Sequence, residues 1–264
     1  MATTNDYLTQ LVNDKETLVN NLVEKGVEAN ANETFTSLVP KVLDIKSGGG
    51  EVTKGVVINK YDENGYAVDV TIRGFEVLTG NFFTRASTSG GWAEGAIIRV
   101  EEGLVETKTS VFAYCGTTKT IELPNSLEIL GSSSFESCIK LENCTLPPNI
   151  KSMGISCFGN CYVLNLKEVP SGVTELTSSV FRECRAITEM TLKGDMTKLN
   201  AYAFYGCKVL KKISFPNNTK VPDLYSSNVF TNCPLEAIEV PSALVDSWKT
   251  KTNWSAYADI IVGI

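Results

Sequence analysis

Six tetrapeptides decide the fold: Phe112-Ala113-Tyr114-Cys115, Phe135-Glu136-Ser137-Cys138, Phe158-Gly159-Asn160-Cys161, Phe181-Arg182-Glu183-Cys184, Phe204-Tyr205-Gly206-Cys207 and Phe230-Thr231-Asn232-Cys233. Counted from Phe to Phe, they stand 23, 23, 23, 23 and 26 residues apart. A near-constant period between 20 and 50 residues is the signature of a solenoid, in which each coil cannot bury its own apolar face and must stack on the next. Other positions keep the same ruler. An aliphatic follows three places after the Cys at Leu141, Leu164, Ile187 and Leu210. Another apolar residue stands eight places after it at Leu123, Leu146, Val169, Leu192 and Phe215, usually with Pro next. The spacing Leu210-x-x-Ile213-x-Phe215 ends in the period-2 alternation of a short strand, which Pro216 stops.

Six of the eight cysteines therefore occupy one repeat position. Equivalent residues of adjacent coils lie about 4.8 Å apart, so each position becomes a column: a stack of small thiols and a stack of phenyl rings in the core. Cys144 falls on an apolar strand position and is read as core too. Ligands spread along an axis cannot converge on a zinc ion, and the spacing of Cys157 and Cys161 has no second pair to complete it. Asp62-x-Asn64-Gly65 reads as a turn, since no glutamate follows at the place a calcium loop needs.

The composition narrows the chemistry further. The chain has 264 residues, no histidine and a net charge of −6, with a pI near 5.0. Without His there is no Ser/His/Asp or Cys/His machinery, and the acidic balance disfavours nucleic acid and anionic membranes. Met1 to Tyr7 lacks the basic and apolar regions of a signal peptide, and no apolar run is long enough to span a bilayer. Reduced thiols, no cofactor, no metal and no membrane insertion are the expectation.

Units such as Ser132-Ser133-Ser134-Phe135-Glu136-Ser137-Cys138-Ile139-Lys140-Leu141 and Asn200-Ala201-Tyr202-Ala203-Phe204-Tyr205-Gly206-Cys207-Lys208-Val209-Leu210 resemble the BspA-like leucine-rich repeats of bacterial and phage surface proteins. The segment from Val240 through Asp259, with Trp248 and Trp254, resembles the close of such arrays. The resemblance covers about residues 96–264 and implies a β-rich leucine-rich-repeat solenoid of 23-residue repeats and short strands, with caps at both ends. Lys167 departs from the pattern: it sits where an inward aliphatic belongs, with Leu166 one place early, which predicts a one-residue bulge.

The expected organisation is a helical attachment and oligomerisation segment over 1–46, a Gly-rich linker over 47–51, a β-hairpin cap and loop over 52–95, the solenoid over 96–240 and a cap over 241–264. Ile98, Val100, Leu104 and Phe112 fall in a degenerate first coil, and Val56–Ile58 with Tyr66–Ile72 reads as a hairpin around Asn64-Gly65. Ser87–Gly91 reads as an exposed loop. Leu8, Leu11, Leu18 and Leu22, then Phe35, Leu38, Val42 and Ile45, give two short apolar stripes for oligomerisation or attachment, with Gly26 and Asn32 at the break between them. Thr34 through Ile45 resembles the N-terminal segments of tail and tail-fibre proteins in phages of Gram-positive hosts. A helical hairpin without an assembly role remains the alternative.

The outward residues of the strand column form the candidate binding face: Ile97/Arg99, Thr120/Glu122, Asn143/Thr145, Leu166/Glu168, Glu189/Thr191, Lys212/Ser214 and Ala237/Glu239. The site is expected in Arg99, Thr120, Glu122, Asn143, Thr145, Glu168, Glu189, Thr191, Lys212, Ser214 and Glu239. This face is polar, mildly acidic and poor in aromatics, which favours a protein ligand or a rim-bound sugar. Glu122 and Glu168 stand two coils apart on an open surface, so no acid–base pair is expected and the chain is read as non-enzymatic. The tail resemblance implies a virion protein made in the bacterial cytoplasm. It would bind a host-cell surface protein or glycan, join other tail proteins through its N-terminal helices and form a homo-oligomer, a trimer being favoured. An intracellular protein-binding scaffold and a surface adhesin lacking its export signal are the competing readings.

Overall fold

The computed structural model describes residues 55–62, 66–79 and 92–264. The oligomerisation residues Leu8, Leu11, Leu18, Leu22, Phe35, Leu38, Val42 and Ile45, the Gly-rich linker, the Asn64-Gly65 turn and the Ser87–Gly91 loop lie outside the described residues. In chain order the strands are β1 (Gly55–Tyr61), β2 (Ala67–Arg73), β3 (Val77–Leu78), β4 (Trp92–Val100), β5 (Glu106–Thr107), β6 (Thr118–Glu122), β7 (Ile129–Leu130) and β8 (Ser152–Met153). Then follow β9 (Glu168–Val169), β10 (Glu175–Leu176), β11 (Glu189–Leu192), β12 (Lys198–Leu199), β13 (Lys212–Ser214), β14 (Asp223–Leu224), β15 (Ala237–Val240) and β16 (Ile261–Gly263).

These strands build a coil with three sides. One side carries the longer strands, in the order β1-β2-β4-β6 and then β9-β11-β13-β15-β16. A second carries two-residue strands, β3-β5-β7-β8 and β10-β12-β14. Apart from the antiparallel pair β1–β2, the pairings are parallel, and between β11 and β13 Glu189 faces Lys212, Met190 faces Ile213 and Thr191 faces Ser214, each 23 residues on. Parallel pairing follows from every coil running the same way round one core.

The third side is the Phe-x-x-Cys turn. The amides of Phe112, Phe135, Phe158 and Phe181 donate to the carbonyls of Ser134, Cys157, Val180 and Ala203 in the next coil, at 2.7–2.9 Å. The residue two places before the Phe is left-handed at Ser110, Ser133, Ser156, Ser179 and Tyr202, and so is the one two places after it at Tyr114, Ser137, Asn160, Glu183, Gly206 and Asn232. Two left-handed residues flanking each of the first five Phe turn the chain sharply enough to aim the ring inward while successive amides still reach the neighbouring coil. Gly131 and Gly154 mark another close approach: a Cβ there would collide with backbone atoms of Lys108 and Ser132, respectively.

Inside, the rings form a continuous stack. Centroids of Phe112, Phe135, Phe158, Phe181, Phe204 and Phe230 follow one another at 5.2, 4.8, 5.7, 5.4 and 5.7 Å, with planes within 19° of parallel. Beside this stack runs the thiol row. The Sγ of Cys138, Cys161, Cys184, Cys207 and Cys233 donates to the carbonyl of Phe112, Phe135, Phe158, Phe181 and Phe204, at 3.0–3.1 Å. The cysteines are thus more than small apolar fillers. Each gives a buried carbonyl a second donor beside the amide of its own coil's Cys. All eight cysteines are free thiols, and all but Cys233 are buried.

At the C-terminal end, Trp248 and Trp254 pack on Phe215 at 4.7 and 5.7 Å, and Tyr257 meets Phe230 edge-on at 5.7 Å. The indole Nε1 of Trp254 donates to the Pro222 carbonyl at 2.8 Å, and Lys251 reaches the Val221 carbonyl at 2.8 Å and the Asp223 carboxylate at 2.7 Å. The short helix Val245–Thr250 sets Trp248 against the last coil. No helix among the described residues is long and apolar enough to cross a membrane.

Candidate functional site

The long-strand side is divided. Between β6 and β9 the coil Asn143–Leu146 forms no strand and pairs with the first sheet as one isolated bridge, Thr120 to Asn143. Two sequence features account for this. Pro147 and Pro148 carry no amide to extend a ladder. In the following coil the inward residues are Leu166 and Val169, three apart, with Lys167 and Glu168 both exposed between them. The displaced lysine therefore puts the backbone donors and acceptors of that coil out of phase with Asn143–Leu146. Leu166, expected to face outward, is buried in the core.

A groove of about 390 Å³ opens at the division. Its polar lining is Thr120, Glu122, Asn125, Asn143 and Thr145, over a floor that includes Ile121, Leu146 and Pro147. Four of the expected binding residues are thus brought together: Thr120, Glu122, Asn143 and Thr145. The Asn143 side-chain amide donates to Thr120 Oγ1 at 3.3 Å. Asn125, which spacing along the strand did not mark, closes the groove from the following turn, where its backbone amide donates to Glu102 at 2.8 Å.

Elsewhere on this face the charges cancel in pairs between coils. Arg99 bonds Asp69 and lies 3.1 Å from Glu122. Lys193 holds Glu168 at 2.7 Å, and Lys212 lies between Glu189 at 3.4 Å and Glu239 at 3.7 Å. The carboxylates that made the face look acidic each have a cation in the neighbouring coil. Asp69 is held below the usual carboxylate range by the Asn59 side-chain hydrogen bond and then by Arg99. Glu122 and Glu168 are 53% and 55% exposed, so neither sits in a shielded site. Thr191 is half-buried between Glu168 and Ser214. Ser214 corrects the expectation: at 6% exposure between Thr191 and Glu239, it has little surface to offer a ligand.

Asp69 and Lys193 were missed by counting. Asp69 faces Ile97, 28 residues on rather than 23, because β2 belongs to the hairpin and not to a repeat. Lys193 lies one place past the strand's inward Leu192, beyond the two outward positions that define the column. Among the described residues, no group of three or more Cys, Asp or Glu could hold a metal ion.

Residues 105–236, half of the chain, match the BspA type leucine rich repeat region in six copies, and the chain belongs to that family. Among solved structures, similarity is found to a leucine-rich repeat protein from Bacteroides ovatus, with 17% identity, TM-score 0.47, and 73% of this chain and 59% of that one covered. The T. pallidum leucine rich repeat protein gives 19%, 0.49, 76% and 94%, and the pneumococcal vaccine antigen PcpA gives 16%, 0.44, 77% and 41%. The chain thus spans less than two thirds of the Bacteroides ovatus protein. No curated protein matches the sequence.

Proposed function

Taking a BspA-type leucine-rich repeat protein as the premise, we propose that the chain is a non-enzymatic binding module: a phage or prophage tail-associated protein that holds a host-cell surface receptor on its long-strand side. The observation that carries the binding role is the groove at the divided sheet, where Thr120, Asn143, Thr145 and Asn125 offer amide and hydroxyl groups over an apolar floor. Glu168, Glu189, Lys212 and Glu239 on the rest of that face are already partnered. A ligand fitting such a groove is neutral where it docks and rich in hydrogen-bonding groups, as an extended peptide segment of a surface protein is. In this reading the β1–β2 hairpin and residues 241–264 cap the array. Residues 1–46 attach it to other tail proteins as a trimer, and the virion is the place of action.

Two experiments test it. Labelled full-length protein is incubated with a panel of Gram-positive cells, in parallel with Asn143→Arg and Thr145→Arg. Binding to whole cells that falls at least about tenfold in both variants is expected if each arginine closes the groove; binding only to lysate sinks the surface-receptor reading. Light scattering on the full chain and on a chain beginning at Glu51 tests the N-terminal role. Two monomers would rule out an oligomerising stalk.

A further inference from the structure

The thiol row has one open end. Cys115, Cys138, Cys161, Cys184 and Cys207 are buried, whereas Cys233 is half-exposed and lines a shallow depression with Lys208, Asn232 and Pro234. Its coil is three residues longer than the others and is followed by the tail rather than by another Phe-x-x-Cys turn. The tail covers Phe230 through Tyr257 and Trp254 but leaves Cys233 only partly buried, at the wall of that depression.

Cys207 lies directly behind it. The Phe204 carbonyl oxygen accepts both the Cys207 amide, at 3.1 Å, and the Cys233 thiol, at 3.0 Å. The two coils are clamped beside this point by the Phe204 amide on Val229 at 3.0 Å and the Gly206 amide on Thr231 at 2.9 Å. Equivalent residues of hydrogen-bonded parallel segments stand about 4.8 Å apart, inside the roughly 4.4–6.8 Å between Cα atoms that a disulfide bridges without moving the backbone. Forming the bond would take one thiol donor from the Phe204 and Phe181 carbonyls, and each would keep the amide it already accepts, from Cys207 and from Cys184.

We propose that Cys207 and Cys233 are a two-electron oxidation site, closed by peroxide into a disulfide that clasps the last coil to the one before it. The Cys233 sulfur, as thiolate, attacks one oxygen of hydrogen peroxide. The O–O bond breaks, the departing hydroxide takes up the thiol's proton as water, and Cys233 is left as a sulfenic acid. The Cys207 sulfur then attacks the Cys233 sulfur. The S–S bond forms, the S–O bond breaks, and the hydroxide leaves with the Cys207 proton as a second water. Two thiols give up two electrons and one peroxide accepts them. The hydrogen bond with the neighbouring Cys233 thiol, and then burial, hold the Cys207 proton on well above the ordinary thiol range, so Cys207 enters second, as the resolving thiol. The other pairs of the row have the same spacing but no exposed member, so they stay reduced.

The test treats folded, fully reduced full-length protein with hydrogen peroxide, then alkylates it in denaturant and maps the peptides by mass spectrometry. Loss of two hydrogens and a single cross-link between the peptides carrying Cys207 and Cys233 is expected. In Cys233→Ser, whose change lies at the open end, the cross-link disappears and the other thiols alkylate in full. In Cys207→Ala a sulfenic acid persists at Cys233 and is trapped by a dimedone probe. A cross-link between any other pair, over-oxidation of Cys233 without a cross-link, or an unchanged protein overturns the proposal. Cys233→Ser decides it even if Cys207→Ala fails to fold.

Discussion

The thiol of Cys138 donates to the backbone carbonyl of Phe112, 26 residues earlier and one coil away, at 3.0 Å. The same oxygen accepts the amide of Cys115 at 3.3 Å. A buried carbonyl with two lone pairs is thereby served twice, by a backbone amide and by a side chain small enough to fit beside the stacked rings. Alanine would fill less space and donate nothing, and valine would pack but leave the second lone pair empty. Inside the array, from Cys115 to Cys184, this geometry explains the repeated cysteine without a reactive role.

Cys138→Ala should therefore cost more than Cys144→Ala, whose thiol lies outside the row. Both changes leave a small cavity, but only the first also strips a donor from a buried carbonyl, a difference of about 0.5–1 kcal/mol. Urea denaturation of the two variants under reducing conditions measures it; equal losses would remove the thiol–carbonyl bond from the account.

Phe158 stands between Phe135 and Phe181, at 4.8 and 5.7 Å. Phe158→Ala opens the middle of the stack and should destabilise by about 3–5 kcal/mol. Because each coil contacts only its neighbours, the loss should spread from that point, with amide exchange rising first in residues 132–184.

The left-handed residues predict an effect that burial alone does not. Ser156 has φ 54° and is only half-buried. Ser156→Val places a β-branched residue in that region and should cost about 1–2 kcal/mol, while Ser156→Gly should be nearly neutral. Thermal melting of both variants checks this, and a harmless valine would mean that the turn relaxes.

Alkali should unfold the protein steeply. Burial pushes the Cys144 thiol up to about 12 and holds Cys138 and Cys157 well above 9.0. With the folded pKa raised, the stabilisation is fully present below the unfolded value near 9 and is lost as pH rises toward 12. Each such thiol removes about 1.4 kcal/mol per pH unit in that window. Denaturation under reducing conditions between about pH 8 and about pH 11 should show the slope, and Cys144→Ala should lower it by one proton.

The repeat was legible because Phe and Cys recur at a fixed interval on one ruler, and the apolar positions that share it, from Leu141 to Leu210, are all buried. Its finer geometry was not. Left-handed positions are filled by Ser, Tyr, Asn, Glu and Gly alike, since hydrogen bonds to the next coil enforce a backbone that no one residue type announces. Lys167 and Leu166 did signal a phase slip, but its consequence, a sheet divided at Asn143 with a groove beside Thr120 and Thr145, depends on how the backbone groups of two coils meet. The ion pairs were hidden for a related reason. Lys212 reaches Glu189 and Glu239 only once register sets them side by side, and Ser214 is buried by neighbours 23 and 25 residues away.

The cysteines are architecture, a row of thiols closed in a stacked core at every position but Cys233, and thiol reactivity reads this out. Fully reduced protein is titrated with an aromatic disulfide reagent, first folded and then in denaturant. Only Cys233 should react in the folded protein, and all eight thiols should react once it is unfolded. Several fast-reacting thiols in the folded chain, or fewer than eight in the unfolded one, would contradict it.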